Sequence, residues 1–265
     1  MLTYPAIDPV LVTIGPLVIR WYGIMYLLGI SGGFWLAKDL FIKRCGLTMD
    51  QLLNTMSIIV LSVVLGGRLG YILFYNLGFY LAHPASILAV WQGGMSYHGG
   101  AIGCVIGMSI VARQYQVNWR CLLDALGLGS TVGLCLGRIA NFINAELYGR
   151  VTNSYLGMIF PGAGSAPRHP SQLYEAALEG VVLGAVLLCL SRRFPQLKPG
   201  LLFCVYLIGY GTFRWLLEWV REPDAHLGTV LGPLSMGQLL CTVMIIWGIV
   251  WARLLIKRSP NGWME

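Results

Sequence analysis

Charge is scarce in this chain. Asp, Glu, Lys and Arg together make up only 11% of 265 residues, against 57% hydrophobic residues. With a mean hydropathy of +0.70, there is too little polar surface to cover a water-soluble globule of this size. Several catalytic patterns are missing as well. No GxSxG elbow, HExxH pair or Walker loop occurs, so serine hydrolase, zinc protease and ATP-driven pump have no support. The seven cysteines are scattered singly, mostly inside apolar runs, with no CxxC pair. They read as small core hydrophobes, neither disulfides nor metal ligands, and no metal or cofactor is expected. The opening residues Met1 to Ile14 are mixed, with Asp8 among them and no basic region ahead of a cleavage site, so no cleaved signal peptide is expected.

What the chain does have is apolar runs of about 20 residues, each long enough to cross a ~30 Å hydrocarbon core as a helix. Seven spans are predicted: Leu17 to Ala37, Leu52 to Phe74, Met95 to Ala112, Cys121 to Ile143, Leu173 to Leu190, Leu201 to Trp219 and Met236 to Leu255. The expectation is an all-α, polytopic membrane protein in which residues 1–265 form a single integral membrane domain. The net charge of +7 suggests nucleic acid until the charges are placed. Lys38, Lys43, Arg44, Arg113, Arg120, Arg192, Arg193, Lys198, Arg253, Lys257 and Arg258 fall on one side of the predicted membrane; Arg20, Arg150, Arg168 and Arg221 fall on the other. The positive-inside rule makes the first side cytoplasmic, with the N-terminus outside and the C-terminus inside. The excess is topological, and no nucleic-acid partner is implied.

Against this background the polar residues within the spans stand out, because an arginine at a bilayer's centre costs roughly 2.5–3.5 kcal/mol or more unless it is paired or faces a cavity. The run Gly137 to Arg150 places Arg138, Asn141, Asn144 and Glu146 at the end of an apolar segment. Arg138 and Asn141, three apart, share a helix face. Either the helix end reaches the headgroups, or this is a site. Asp124 is about 20 Å away along the helix, too far to be Arg138's partner. In the sixth span Tyr210, Arg214 and Glu218 recur every four residues, so Arg214 can pair with Glu218. In the second span Arg68 sits between glycines and either binds an anion or makes a structural ion pair. Gly99, Gly103 and Gly107 give the third span a smooth face. His98, just before it, is the best general-base candidate by side-chain type, with a structural hydrogen-bonding role as the alternative. Tyr22 lies in the aromatic cluster Ile19-Arg20-Trp21-Tyr22-Gly23 and is a belt residue or a site residue. The outer segment 144–170 is a long loop of the kind that is often functional, and Ser171 after it looks like an N-cap. Arginines grouped toward one membrane face suit a phosphate-bearing ligand, since guanidinium binds phosphate oxygens through two parallel hydrogen bonds.

Taken together, Ile19 to Gly23, Gly66-Gly67-Arg68-Leu69-Gly70-Tyr71, Gly94-Met95-Ser96-Tyr97-His98-Gly99-Gly100, Gly137 to Arg150, Arg168-His169-Pro170-Ser171-Gln172-Leu173-Tyr174-Glu175 and Tyr210 to Asp224 are recognisable. The chain resembles the bacterial prolipoprotein diacylglyceryl transferases over nearly its whole length, with the motifs in the same order. The resemblance implies an enzyme of the bacterial inner membrane. It would transfer the diacylglyceryl group of phosphatidylglycerol to the lipobox cysteine of a prolipoprotein signal peptide and release glycerol 1-phosphate. It also implies roles: Arg138 and Arg214 on the phosphate, Asn141, Glu146, Gly149, Tyr22, Arg68 and Tyr210 in substrate binding, Glu218 orienting Arg214, and His98 as base. A lipid or anion transporter using the same arginines is the competing reading. The absence of a convincing repeat between the halves, and polar groups placed toward one face, disfavour it.

Overall fold

The computed structural model describes residues 2–15, 17–89, 93–222, 229–231 and 234–257. Pro223 to His226 and Arg258, which entered the sequence reading, lie outside them. The chain is mostly helical, and among the described residues four helices are long and apolar enough to cross a membrane: α2 (Met49–Tyr75), α5 (Trp119–Ile143), the stretch Ser171–Arg193 and α9 (Met236–Lys257). The other three predicted spans are helical too, as α1 (Trp21–Leu36), α4 (Tyr97–Tyr115) and α8 (Leu201–Leu217). Of these, α1 and α8 have 16 and 17 residues, and α4 is diluted by glycines and polar residues. A short helix α3 (Leu77–Ala82) follows α2.

Two features depart from an all-helical expectation. Val10–Ile14 (β1) and Leu17–Arg20 (β2) form an antiparallel hairpin, so the predicted first span loses its first four residues to a strand. That run, Leu-Val-Ile-Arg, is β-branched at its centre, which suits a strand as well as a helix. A second small hairpin joins β3 (Thr229–Leu231) to β4 (Leu234–Ser235) immediately before α9.

The chain divides into two compact units. Unit two is Lys38–Leu122; unit one combines Met1–Ala37 with Leu123–Glu265. Within unit two, the predicted glycine face of α4 packs on α2. A Cβ added at Gly66 would lie 2.8 Å from the Gly103 Cα, and one at Gly107 would lie 2.9 Å from the Ser62 hydroxyl. A side chain at Gly66, Gly103 or Gly107 would force the two helices apart. The start of α2 is fixed by a capping box, in which the Thr48 hydroxyl accepts from the Gln51 amide and the Gln51 side chain accepts from the Thr48 amide.

Within unit one, the stretch Ser171–Arg193 runs as α6 (Ser171–Glu175), a π-helical segment (Ala176–Val182) and α7 (Leu183–Arg193). It packs closely on α5, where a Cβ at Gly184 would lie 2.7 Å from the Thr131 hydroxyl. Asp124, excluded as a partner for Arg138, caps α8 instead. Its two carboxylate oxygens accept from the Gly200 amide (2.9 Å) and the Phe203 amide (2.7 Å), and the residue is only 1% exposed. Replacing Asp124 by Asn puts an N–H donor against a buried N–H. The expected cost is about 1–3 kcal/mol, visible as a lower melting temperature of the detergent-solubilised protein; an unchanged melting curve contradicts the capping role.

Candidate active site

The site residues of unit one come from four places: α1, the end of α5, the α6–α7 stretch and the end of α8. At the end of α5 the chain makes a turn whose backbone is strained. Ala145 and Leu147 have φ of 54° and 58°, positive values that cost side-chain-bearing residues of order 1–3 kcal/mol each. Between them, Glu146 is locked from both sides. Its Oε1 accepts from Asn141 Nδ2 (2.7 Å) and Asn144 Nδ2 (3.3 Å), and its backbone carbonyl accepts from Gln172 Nε2 (2.6 Å). Ser171 is not an N-cap; Pro170 holds that position without a side-chain cap, and the Ser171 hydroxyl donates to the Leu147 carbonyl at 3.1 Å. The buried pair Ser171 and Gln172 therefore hold the strained turn, and through it the Glu146 carboxylate, in place.

The segment 144–170 folds around a small core shared with the end of α5, the N-terminal residues and α6, with Phe142, Met158 and Phe160 buried and Tyr4, Tyr148 and Leu173 packed on them. The Tyr4 hydroxyl donates to the carbonyls of Phe142 (2.8 Å) and Ile143 (3.1 Å). Gly149 lies where this loop crosses two others: its amide donates to the His169 carbonyl (2.8 Å) and the next amide, of Arg150, donates to the Val220 carbonyl (2.9 Å). No Cβ fits at Gly149, since it would collide with the Val220 carbonyl and lie 2.9 Å from the His169 Cβ. Partial burial holds the His169 imidazole below the ordinary histidine range. Its Nδ1 lies 3.4 Å from the Tyr174 hydroxyl.

Behind the turn lies the charged cluster. Arg138 pairs through Nε with Glu175 at 2.7 Å, with Glu175 1% exposed and the arginine side chain 18% exposed. Its two terminal Nη groups, the fork that grips a carboxylate or phosphate, make no hydrogen bond among the described residues. Arg214 pairs with Glu218 at 3.0 Å, the i,i+4 pair expected from the sequence. Glu218 is held in turn by the Ser235 hydroxyl, 2.9 Å from its Oε1, so the small second hairpin orients the carboxylate that orients Arg214. Tyr210 lies one turn before Arg214 and interacts electrostatically with Arg214, Arg138 and a further carboxylate, Glu179. Tyr22, whose hydroxyl is 3.2 Å from that of Tyr26, is near enough to Arg138 and Glu146 to feel both charges.

The structure thus brings Tyr22, Arg138, Asn141, Glu146, Gly149, Tyr210, Arg214 and Glu218 into one unit. Sequence reasoning passed over Glu175 and Glu179. Two acids four apart within an apolar run carry the same signal that singles out Arg138.

Arg68 and His98 belong to unit two. All of Arg68's donor groups are occupied: Nε by the Ile87 carbonyl (2.9 Å), Nη1 by Gly93 (2.5 Å) and Gly94 (3.1 Å), and Nη2 by Ser86 (2.6 Å) and Ala89 (3.2 Å). The guanidinium also lies over the Tyr80 ring at 5.1 Å. It organises the loop between α3 and α4 by binding backbone carbonyls, an arrangement that composition and spacing do not reveal. His98 is exposed in the first turn of α4, whose N-cap Ser96 accepts from the Gly99 amide at 3.2 Å. Among the described residues no group of three His, Cys, Asp or Glu side chains is arranged to hold a metal ion.

Chemically, the unit-one cluster is a pair of preorganised guanidiniums beside a fixed carboxylate and two tyrosines, suited to an anionic headgroup that also carries hydroxyls. Comparison with known proteins gives this geometry its family. A family model described as prolipoprotein diacylglyceryl transferase matches residues 9–254. A protein of Geobacter sulfurreducens is 48% identical over 97% of this chain and 98% of its own length. Proteins of Pseudoalteromonas atlantica and Nitrosomonas europaea are 46% and 48% identical over 98% and 94% of this chain, and over 94% and 90% of their own lengths. All three are named phosphatidylglycerol–prolipoprotein diacylglyceryl transferase. The chain belongs to the prolipoprotein diacylglyceryl transferase family.

Proposed function

We propose that this protein transfers the diacylglyceryl group of phosphatidylglycerol to the sulfhydryl of the lipobox cysteine in a prolipoprotein signal peptide, the first step of bacterial lipoprotein maturation. The observation that carries the reading within the site is Arg138. It is a mostly buried guanidinium paired through Nε with Glu175, and neither Nη group makes a hydrogen bond among the described residues. In the reaction the cysteine sulfur attacks the glyceryl carbon. The S–C bond forms, the C–O bond to phosphate breaks, and the electron pair leaves on the phosphate oxygen of glycerol 1-phosphate. As written, the step calls for no metal or cofactor.

Arg138 and Arg214 stabilise the charge that develops on the departing phosphate, a role for which prefixed donors are worth more than mobile ones. Glu218 orients Arg214. Asn141 and Glu146 position the glycerol headgroup, whose hydroxyls can donate to the Glu146 carboxylate, and Tyr22 and Tyr210 close the remaining sides. Gly149 contributes by letting the outer loop pack against its neighbours. Arg68 is assigned to its loop, because its donors are already filled. The thiolate, not the thiol, is the nucleophile, and His98 is the proposed acceptor of its proton. The seven apolar helices are proposed as seven spans of the inner membrane, N-terminus outside and C-terminus inside, on the strength of the charge asymmetry of the loops. The folded segment 144–170 is then a periplasmic arm.

The test is an assay of purified protein in detergent with phosphatidylglycerol and a lipobox peptide. The expected result is a cysteine-dependent gain of one diacylglyceryl mass per peptide, with an equal amount of glycerol phosphate released. Binding of phosphatidylglycerol with no adduct would point to a lipid or anion transporter. In the same assay His98→Asn is expected to slow transfer; full activity at every pH would dismiss histidine as the base.

A further inference from the structure

Among the described residues Glu179 is the carboxylate of the cluster with neither an ion-pair nor a hydrogen-bond partner. It is fully buried, 0% exposed, and neither of its oxygens makes a hydrogen bond among the described residues. It sits in the π-helical segment Ala176–Val182, an irregularity that occurs often at functional sites. The segment leaves it little freedom, because the next residue, Gly180, is pressed against α5: a Cβ there would lie 2.5 Å from that of Cys135. The charged and titratable groups that interact electrostatically with Glu179 come from several elements. They are Arg138 on α5, Glu175 on α6, Tyr210 and Arg214 on α8, Cys241 on α9 and Arg221 on the loop after α8.

Charge counting then singles Glu179 out. Arg138 is matched by Glu175 and Arg214 by Glu218, each at ion-pair distance. Glu179 is the third carboxylate for two buried guanidiniums. Arg221 is only partly buried and its charge is correspondingly screened. An ionised carboxylate with neither solvent nor hydrogen-bond donor is so costly that such groups neutralise instead. An extra negative charge here would also repel the phosphate that the arginines are proposed to bind.

We propose that Glu179 is a positioning residue that holds a proton in the arginine–glutamate cluster, so that the resting site is close to neutral and accepts a phosphate anion. The proposal rests on the transferase reading and deepens it. Glu179 touches no substrate; it acts by setting the charge that Arg138 and Arg214 present to the headgroup. When it ionises, phosphatidylglycerol binds less well, and its loss of affinity precedes any loss in the chemical step.

The test compares wild type with Glu179→Gln, a neutral group of nearly the same shape, by KM for phosphatidylglycerol and kcat across pH. In the wild type, KM is expected to climb on the alkaline side by about tenfold per pH unit beyond a break, the slope of one ionisation. In Glu179→Gln that climb is absent, while KM and kcat at the acidic end stay close to wild type. A merely structural glutamate would not change the shape of the profile. Infrared difference spectra give a second readout: a protonated-carboxyl band that fades as pH rises through the same break and is missing from Glu179→Gln. Two profiles of identical shape, or a Gln variant that has lost phosphatidylglycerol affinity at all pH values, overturn the proposal; the latter is the result if Glu179 is an ionised counterion of Arg221. Should the Gln variant fail to fold, the wild-type infrared titration decides, and no protonated buried carboxyl means no proton store. If the wild type forms no adduct at all, the transferase reading falls separately, and the infrared band still reports on Glu179.

Discussion

Arg138→Ala is expected to lower the rate of diacylglyceryl transfer by roughly 100- to 1,000-fold, the usual effect of removing one preorganised donor from a developing oxyanion. The loss has two components that can be separated. One is chemical, the disappearance of the Nη fork. The other is structural, since the substitution leaves Glu175, 1% exposed, without its cation, and stripping a buried ion of its partner costs about 3–5 kcal/mol. Adding Glu175→Gln should therefore restore much of the thermal stability of Arg138→Ala while leaving transfer as slow as before. Arg138→Lys keeps the charge but presents a single point donor in place of a fork, and is expected to fall between the two. Transfer near the wild-type rate in Arg138→Ala would remove the phosphate clamp from the account.

Gly149→Ala is the second large effect, and its origin differs. Nothing about Gly149 suggests direct chemistry. A methyl group there meets the Val220 carbonyl on one side and His169 on the other, so the loop crossing must open. Overpacking of this kind typically costs about 1–3 kcal/mol. The displacement falls on the connection between the strained turn at Glu146 and the loop after α8, because the Arg150 amide bonds the Val220 carbonyl there while the neighbouring Gly149 amide ties the same segment to His169. Transfer is expected to be lost with insertion intact, accompanied by faster proteolysis of the segment 144–170. An alanine variant with normal activity and unchanged proteolysis would show that the crossing tolerates a side chain.

Several of these elements were legible in the sequence for physical reasons. The helices were visible because apolar runs of membrane length leave few alternatives, and the Arg214–Glu218 pair because i and i+4 are neighbours on any helix. The glycine face of α4 was equally plain, since small residues every four positions permit one kind of close packing. Other features were not legible, because they depend on partners far away in the chain. Arg68 looks like Arg138 by composition, yet one guanidinium is filled by carbonyls of a loop 18 to 26 residues on and the other makes its ion pair through Nε with Glu175. The donors to Asp124 come from the start of α8, 76 residues later, where no local pattern announces them. Glu175 and Glu179 lie in the apolar run from Leu173 to Leu190, whose overall hydropathy masks single acids. The strained turn at Ala145 and Leu147 carries no sequence signal, since neither residue favours positive φ.

The central claim is that the phosphate of phosphatidylglycerol is held by the arginines of unit one. The most direct test is a structure of the protein with phosphatidylglycerol bound, in lipid nanodiscs. The account predicts phosphate oxygens about 2.7–2.9 Å from the Nη groups of Arg138, with Arg214 on the same phosphate and still braced by Glu218. A phosphate bound elsewhere, with the Arg138 fork empty, would contradict it.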